Sequence, residues 1–233
     1  MKYKNLLILG ASGAIGLWLV KMALTRGYTL TVVVRSKVRF IQSLHDFIAL
    51  KSEAVAAINI IEGDVMNAQV IAQAVEGQDA VLSSLGLRRK NQANPWSAVV
   101  SPKDLTERVA KLLVPTMEQA KVTRLIVVSS AGVGDSWKDI SGFMKFMVGS
   151  SKIKVTYDDL DKMESLLARS DIDSLSLRPV GLVEAEPSQD AQIVERFTAS
   201  SQISKSDVAQ WMLDALKREE RFTSPTEMIG WAK

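Results

Sequence analysis

The chain has no cysteine and only one histidine, His45, among its 233 residues. Without thiols there is no disulfide framework, zinc knuckle, iron–sulfur ligation or thiol nucleophile, and one imidazole cannot build a His-pair metal site. A Ser-His-Asp hydrolase is open only with His45 as its base. Long apolar runs are missing too: no stretch reaches about 18 apolar residues. The N-terminus enters Leu6-Leu7-Ile8-Leu9 without the charged, apolar and cleavable parts of a signal peptide. Charge of one sign is scarce, since 29 Lys plus Arg face 26 Asp plus Glu for a net +3. The densest basic run, Arg88-Arg89-Lys90, is too short for a nucleic-acid stripe. These absences predict a soluble cytoplasmic protein with neither nucleic acid nor membrane as a partner.

What is present is globular in kind, with 47% hydrophobic and 24% charged residues. Against roughly 150 residues per domain, and with no repeat or linker, one domain over residues 1–233 is expected. Apolar, β-branched runs predict strands at 5–9, 29–34, 57–61, 80–83, 125–128 and 174–177, the last broken by Pro179. Helical spacing predicts helices over 15–26, 36–50, 67–75, 155–169 and 205–219, with His45 a bystander in the second. A further helix is expected to open at Ser101-Pro102, run to Lys121 and kink at Pro115. Residues 87–100 read as an ordered surface loop and 133–151 as a Gly- and aromatic-rich stretch. Strand and helix in alternation predict the α/β class, a Rossmann-type doubly wound parallel sheet with helices on both faces. Ligands in such sheets lie beyond the carboxyl ends of the strands.

The residues at those ends carry the chemistry. Gly10-Ala11-Ser12-Gly13-Ala14-Ile15-Gly16 is a G-x-x-G-x-x-G turn between a strand and a helix. Gly10 allows the tight turn, Gly13 lets backbone approach a pyrophosphate and Gly16 lets helix and strand pack closely. After the second strand, NAD-selective sites place a carboxylate for the ribose 2′-hydroxyl, whereas this chain has Arg35-Ser36, with Lys37 and Arg39 nearby. A guanidinium pairs with a 2′-phosphate, so NADPH is expected over NADH. Asp64 and Val65 suit an adenine ring, and Leu85-Gly86 lets backbone approach the cofactor. Arg88 is a candidate for an acidic group of cofactor or substrate. Ser129 and Ser130 end the fifth strand on the nicotinamide side, with Pro179 and Val180 expected at the cofactor after the sixth. Tyr157 is the candidate for a Tyr-x-x-x-Lys base, but Lys162 is five residues on, about 100° off the face a partner needs. Carbonyl–alcohol chemistry with Tyr157 as base is correspondingly disfavoured.

In this order, the glycine turn, Thr31-Val32-Val33-Val34-Arg35, Gly63-Asp64-Val65, Gly77-Gln78-Asp79-Ala80-Val81 running to Leu85-Gly86, Ser129-Ser130, Asp158-Asp159 with Met163, and Ile203-Ser204-Lys205-Ser206-Asp207 form a pattern. It resembles the atypical short-chain dehydrogenases of NAD(P)H-binding, NmrA-like type, most of all the biliverdin-IXβ reductase (NADPH-dependent flavin reductase) branch. The resemblance covers nearly the whole chain. It implies a single-domain NADPH-dependent reductase of flavins (FMN, FAD) and linear tetrapyrroles such as biliverdin. It also implies that Ser12, Ala14, Ile15, Arg35, Arg39, Asp64, Val65, Gly86 and Arg88 surround NADPH while Ser130 faces the substrate. One departure is visible: family members can carry a histidine shortly after the sixth strand, where this chain reads Arg178-Pro179-Val180-Gly181. The C-terminal part, about residues 130–200, is expected to form the substrate pocket, with Trp137, Phe143, Met144, Phe146 and Met147 as candidate walls for a planar acceptor. A core or dimer role for that stretch stays open. So do a catalytically quiet NADP(H) sensor or assembly factor acting through a protein partner, and an enzyme acting on sugars or polyketides.

Overall fold

A computed structural model describes residues 3–47, 55–188 and 190–232. Eight strands form one sheet: β1 (Asn5–Leu9), β2 (Thr29–Val34), β3 (Asn59–Glu62), β4 (Ala80–Ser83), β5 (Arg124–Val128), β6 (Asp173–Pro179), β8 (Ala191–Ile193) and β10 (Thr226–Trp231). Their spatial order is β3-β2-β1-β4-β5-β6-β10-β8, and β7 (Gly181–Val183) pairs with β9 (Gln202–Ser204) in a small second sheet. All neighbours in the large sheet are parallel except β10 and β8. The order reverses between β1 and β4, which is the switch point of a doubly wound sheet.

Helices α1 (Ala14–Thr25), α2 (Lys37–Phe47) and α7 (Lys205–Ala215) cover one face, and α3 (Ala68–Val75), α4 (Leu105–Ala120) and α6 (Ile153–Leu167) the other. A 3₁₀ turn (Gly134–Asp139) and α5 (Gly142–Gly149) lie in the crossover from β5 to β6. Strand β1 shows why its sequence is continuously apolar: Leu6 and Ile8 enter one core layer, Leu7 and Leu9 the other, and all four are fully buried. At the opposite end of the sheet from the glycine turn, buried Arg124 pairs with Asp173 across β5 and β6 at 3.1 Å. The same guanidinium donates to the carbonyls of Arg218 and Glu220 and lies over the Phe222 ring, 4.4 Å from its centroid. It thereby anchors the chain's return into β10.

Several expectations are corrected. The helix expected from Ser101-Pro102 begins at Leu105. Ser101 Oγ is occupied in accepting the Arg88 amide, and the cap comes from α6 instead: the Asp159 carboxylate accepts the amides of Thr106 and Glu107 at 3.1 and 3.0 Å. Pro115 falls inside this helix, where it was expected, with Thr116 Oγ1 donating to the Leu112 carbonyl beside the ring. Strand β6 is longer than expected and keeps Pro179 as its last residue, where little ladder remains to interrupt. The third strand sits one to two residues later than expected and includes Glu62. Helix α7 stops at Ala215, four residues short of the expectation. Strands β7 to β10 were not foreseen, because three are only three residues long and β10 mixes Glu227 and Gly230 into its run. The end of the second helix, residues 48–50, lies outside the described residues; within it His45 is exposed on α2.

The Ile203–Asp207 tract is a structural knot. Ser204 caps α7 by accepting the Asp207 amide at 2.8 Å. The buried Asp207 carboxylate accepts the Ser188 amide and hydroxyl, each at 2.9 Å, and the Trp231 indole at 2.6 Å. Burial pushes this carboxyl upward, but the hydrogen bonds from Trp231, Ser204 and Ser188 outweigh it and hold the group below the usual aspartate range. A depressed native value stabilises the fold above the ordinary aspartate value, and that stabilisation is lost as pH falls through the native one. Asp207→Asn is therefore expected to cost about 1–3 kcal/mol at neutral pH. In urea unfolding followed by circular dichroism, the gap to wild type should narrow in acid, below about pH 4.

Candidate functional site

The turn between β1 and α1 has no room for a side chain at Gly10 or at Gly16. Gly10 has φ +83°, and a Cβ there would stand 2.9 Å from the Ser84 carbonyl carbon. A Cβ on Gly16 would overlap the Gly10 carbonyl oxygen and lie 2.7 Å from Ala11 Cα. The Gly13 amide closes the turn onto the Gly10 carbonyl at 2.9 Å. Gly13 is also the N-cap of α1, with no side-chain cap and no acidic residue in the first turn, and Ser12, Gly13 and Ala14 are exposed. An open helix N-terminus of this kind presents amide donors and the positive end of the helix dipole to an anion.

The neighbouring strand ends add charge and shape along the same edge. Arg35 follows β2, and both Arg35 and Arg39 are exposed; among the described residues neither takes part in an ion pair. The Ser36 hydroxyl accepts the Arg39 amide. Asp64 is exposed after β3 and its carboxylate closes a short turn on the Met66 amide at 2.9 Å. Val65 and Leu85 are partly buried against the second core layer, and Gly86 is open on its Cβ side. Arg88 is exposed, with its backbone pinned to Ser101 and Val100.

At the end of β5 the structure brings together Ser130 and Tyr157, the residue whose role as a base the spacing to Lys162 disfavours. Ser130 Oγ donates to Tyr157 Oη at 3.2 Å, and Tyr157 Oη donates to the Ala131 carbonyl at 2.7 Å. Tyr157 and Ser130 thus meet, while the fourth position after the tyrosine is Asp161 and Lys162 turns to Glu107 at 3.3 Å. Burial pushes the Tyr157 phenol up, offset only in part by its hydrogen bond with Ser130. It stays protonated through neutral pH, so it can give a proton but is not poised to take one. Ser129 Oγ is buried without a partner among the described residues.

Arg178 does not replace the missing histidine. Its Nε and Nη2 donate to the two Glu164 oxygens at 3.1 and 2.6 Å, and its Nη1 donates to Asp135 at 2.7 Å. That guanidinium holds the Asp135 carboxyl below its ordinary range. Pro179 and Val180 are also committed to the fold, since the Pro179 carbonyl accepts the Ala131 amide and the Val180 amide goes to Ile229. Val180 packs its side chain in the core. Of the candidate wall residues, Trp137, Phe143 and Phe146 are exposed, whereas Met144 packs against the core. The sequence reading missed Trp96: it is exposed, its indole donates to the Ser150 carbonyl at 3.0 Å, and the Lys152 amide goes to Pro95. The loop after β4 is thereby docked on the α5–α6 junction. No local period marks such a contact between two loops.

A family model described as NAD(P)H-binding matches residues 10–219. The chain belongs to this NAD(P)H-binding family. It is similar in structure to ChuY, an anaerobilin reductase from Escherichia coli O157:H7, with TM-score 0.71 and 21% identity over 97% of this chain and 96% of that one. A short-chain dehydrogenase/reductase from Veillonella parvula in complex with NADP superposes with TM-score 0.76 at 18% identity, covering 98% and 94%. The oxidoreductase ylbE from Lactococcus lactis gives TM-score 0.72 at 19% identity, covering 98% and 91%. At such identities these likenesses concern the fold. Within the NAD(P)H-binding chain, the features above fit a dinucleotide: a tight glycine turn whose Gly10 and Gly16 leave no space for a Cβ, an uncapped helix N-terminus and, among the described residues, a buried hydroxyl without a partner. Among the described residues no helix is long and apolar enough to cross a membrane.

The Arg178 cluster is a stability element beside this site. Arg178→Met leaves Glu164 buried without its counter-charge and should cost about 3–5 kcal/mol. Asp135→Asn, on a largely exposed partner, should cost far less; thermal unfolding of the two variants reads the difference.

Proposed function

We propose that the protein is an NADPH-dependent reductase of a planar conjugated acceptor, a flavin (FMN or FAD) or a linear tetrapyrrole such as biliverdin. The observation that carries this reading is Tyr157 on Ser130 at the end of β5, a protonated phenol with no ammonium partner, facing the edge that also holds the glycine turn. An alcohol dehydrogenase needs a base there; a reductase needs a proton donor. Arg35 and Arg39 support the 2′-phosphate of NADPH, and Gly10 to Gly16 the pyrophosphate. Asp64, Val65, Leu85, Gly86 and Arg88 flank the adenine and the remaining phosphates. Ser129 lies on the nicotinamide side, with backbone of Pro179 and Val180 beside it. The bound dinucleotide supplies hydride and the protein supplies alignment and a dry pocket. That pocket belongs to the C-terminal part of the single domain, about residues 130–200, with Trp96 joining its wall. A flavin accepts hydride at N5 and a bilin at its central methine carbon. The bilin product then takes one proton, for which Tyr157 is the donor and Ser130 the group that orients it, whereas a reduced flavin can draw its proton from water.

A second reading is a catalytically quiet NADP(H) sensor or assembly factor acting through a protein partner. It is supported by Lys162 bound to Glu107 and by Arg178 locked on Glu164, which commit both cations to partners within the fold. Following NADPH absorbance with FMN, FAD and biliverdin, alongside NADPH binding alone, separates the two. Oxidation by at least one acceptor is expected; tight binding with no oxidation of any acceptor would move the protein to the sensor class. Tyr157→Phe should lower turnover of biliverdin by roughly 100-fold, as for loss of a general acid, and leave FMN turnover within a few-fold. Arg35→Asp should raise the KM for NADPH far more than that for NADH; equal effects on the two would sink the 2′-phosphate assignment.

A further inference from the structure

The two helix N-termini on the dinucleotide edge differ in one respect. That of α1 is open, as described above, whereas that of α2 already holds an anion: Glu62 Oε2 accepts the Lys37 amide at 2.9 Å. Lys37 is the first residue of α2, and the Ser36 hydroxyl accepts the Arg39 amide two residues further in. Glu62 reaches this place because it ends β3 directly beside Val34 of β2 in the parallel register, one residue before Arg35. The Gly63 amide, donating to the Val34 carbonyl at 2.9 Å, keeps the two strand ends together. The edge after β2 therefore carries both signs. Arg35 and Arg39 are exposed guanidiniums outside any ion pair among the described residues, and a carboxylate sits on the backbone between them.

The two kinds of group recognise different cofactors. A 2′-phosphate is drawn to guanidinium and to free helix amides, and it is repelled by a carboxylate already placed on them. A ribose 2′-hydroxyl, in contrast, donates to a carboxylate, which is the usual arrangement for NAD at the end of the second strand. We infer that Glu62 is a specificity-determining residue of the dinucleotide site: it competes with the 2′-phosphate for the start of α2 and can accept from the ribose hydroxyls of NADH, so that it limits the preference for NADPH set by Arg35 and Arg39. The inference rests on the reading of this edge as an NADPH site. It gives the chain a usable NADH affinity and supplies, from the neighbouring strand, the carboxylate absent from position 35.

The test is the affinity of wild type and of Glu62→Gln for NADPH and for NADH, by fluorescence titration of the whole protein. Glutamine keeps the length and an acceptor oxygen for the Lys37 amide, and loses the charge. NADPH should bind about ten-fold more tightly to the variant, while NADH binds equally or up to a few-fold more weakly. The same shift should appear with adenosine 2′,5′-bisphosphate, which carries the 2′-phosphate without the nicotinamide half. A ratio of NADPH to NADH affinity unchanged within two-fold, or one that falls, overturns the role of Glu62. Arg35→Ala separates this from the underlying reading: if it lowers the ratio while Glu62→Gln leaves it alone, the 2′-phosphate assignment stands and the Glu62 inference fails. If wild type binds neither dinucleotide, both fail.

Discussion

Helix α1 crosses the end of β1 so closely that a methyl group on Gly16 would lie on the Gly10 carbonyl, and a methyl group on Gly10 would strike the backbone after β4. The central strand, the first helix and the neighbouring strand are fixed relative to one another by that contact. With α1 pressed against the sheet, Trp18, Leu19 and Ala23 close one core layer over β1, and the strand can be apolar on both faces. The same close packing sets the positive end of the α1 dipole at the carboxyl edge of the sheet. Only backbone without side chains can bring amide donors this near to an anion, so the fold and the binding edge have one physical origin.

Charges buried within the molecule do structural work, each either paired with a counter-charge or held by hydrogen bonds. Arg124 and Asp173 close the far end of β5 and β6, and Arg178 and Glu164 close the near end, with Asp135 pairing from the surface. Asp159 and Asp207 serve as remote caps, one for the start of α4 and one for the segment before β8. A buried charge stripped of its partners is costly, so each of these groups specifies which distant segment must lie against it. The Asp158-Asp159 and Ile203–Asp207 tracts, met in the sequence as marks of resemblance, are explained by this packing. By contrast, among the described residues the exposed guanidiniums of Arg35 and Arg39 stand outside any ion pair, in keeping with the ligand role proposed for them.

The proposed acceptor side is built from chain segments that contact each other late in the topology. The loop after β4 meets the α5–α6 junction through Trp96 and Pro95, and residues 139–141 pair with Phe197 beyond β8. Tyr157 reaches Ser130 beneath the backbone of Ala131. These contacts join elements that no helical or strand period connects. They push the phenol's pKa upward, because burial there is a property of the assembled crossover rather than of the helix that carries it.

Much of the scaffold was legible in the chain itself. The apolar run of β1, the glycine turn and the β-branched β2 ending in Arg35 are local patterns, and local sterics and burial decide them. Alternation of strand and helix likewise sufficed for a doubly wound sheet, since a parallel crossover has few ways to pack. Boundaries went astray where a side chain from elsewhere intervened, as Asp159 did at α4, and the short strands β7 to β9 had too few residues to show a period. Position 157 was demoted on its spacing to Lys162, correctly as to the lysine, yet its meeting with Ser130 depends on how α6 lies against β5. Glu62 and Arg35 are far apart along the chain and become neighbours only through the parallel register of β2 and β3. Periodicity and turn chemistry are short-range and can be read from residues in order, whereas juxtaposed charges, buried hydroxyls and docked loops arise when the sheet brings distant residues within a few ångströms.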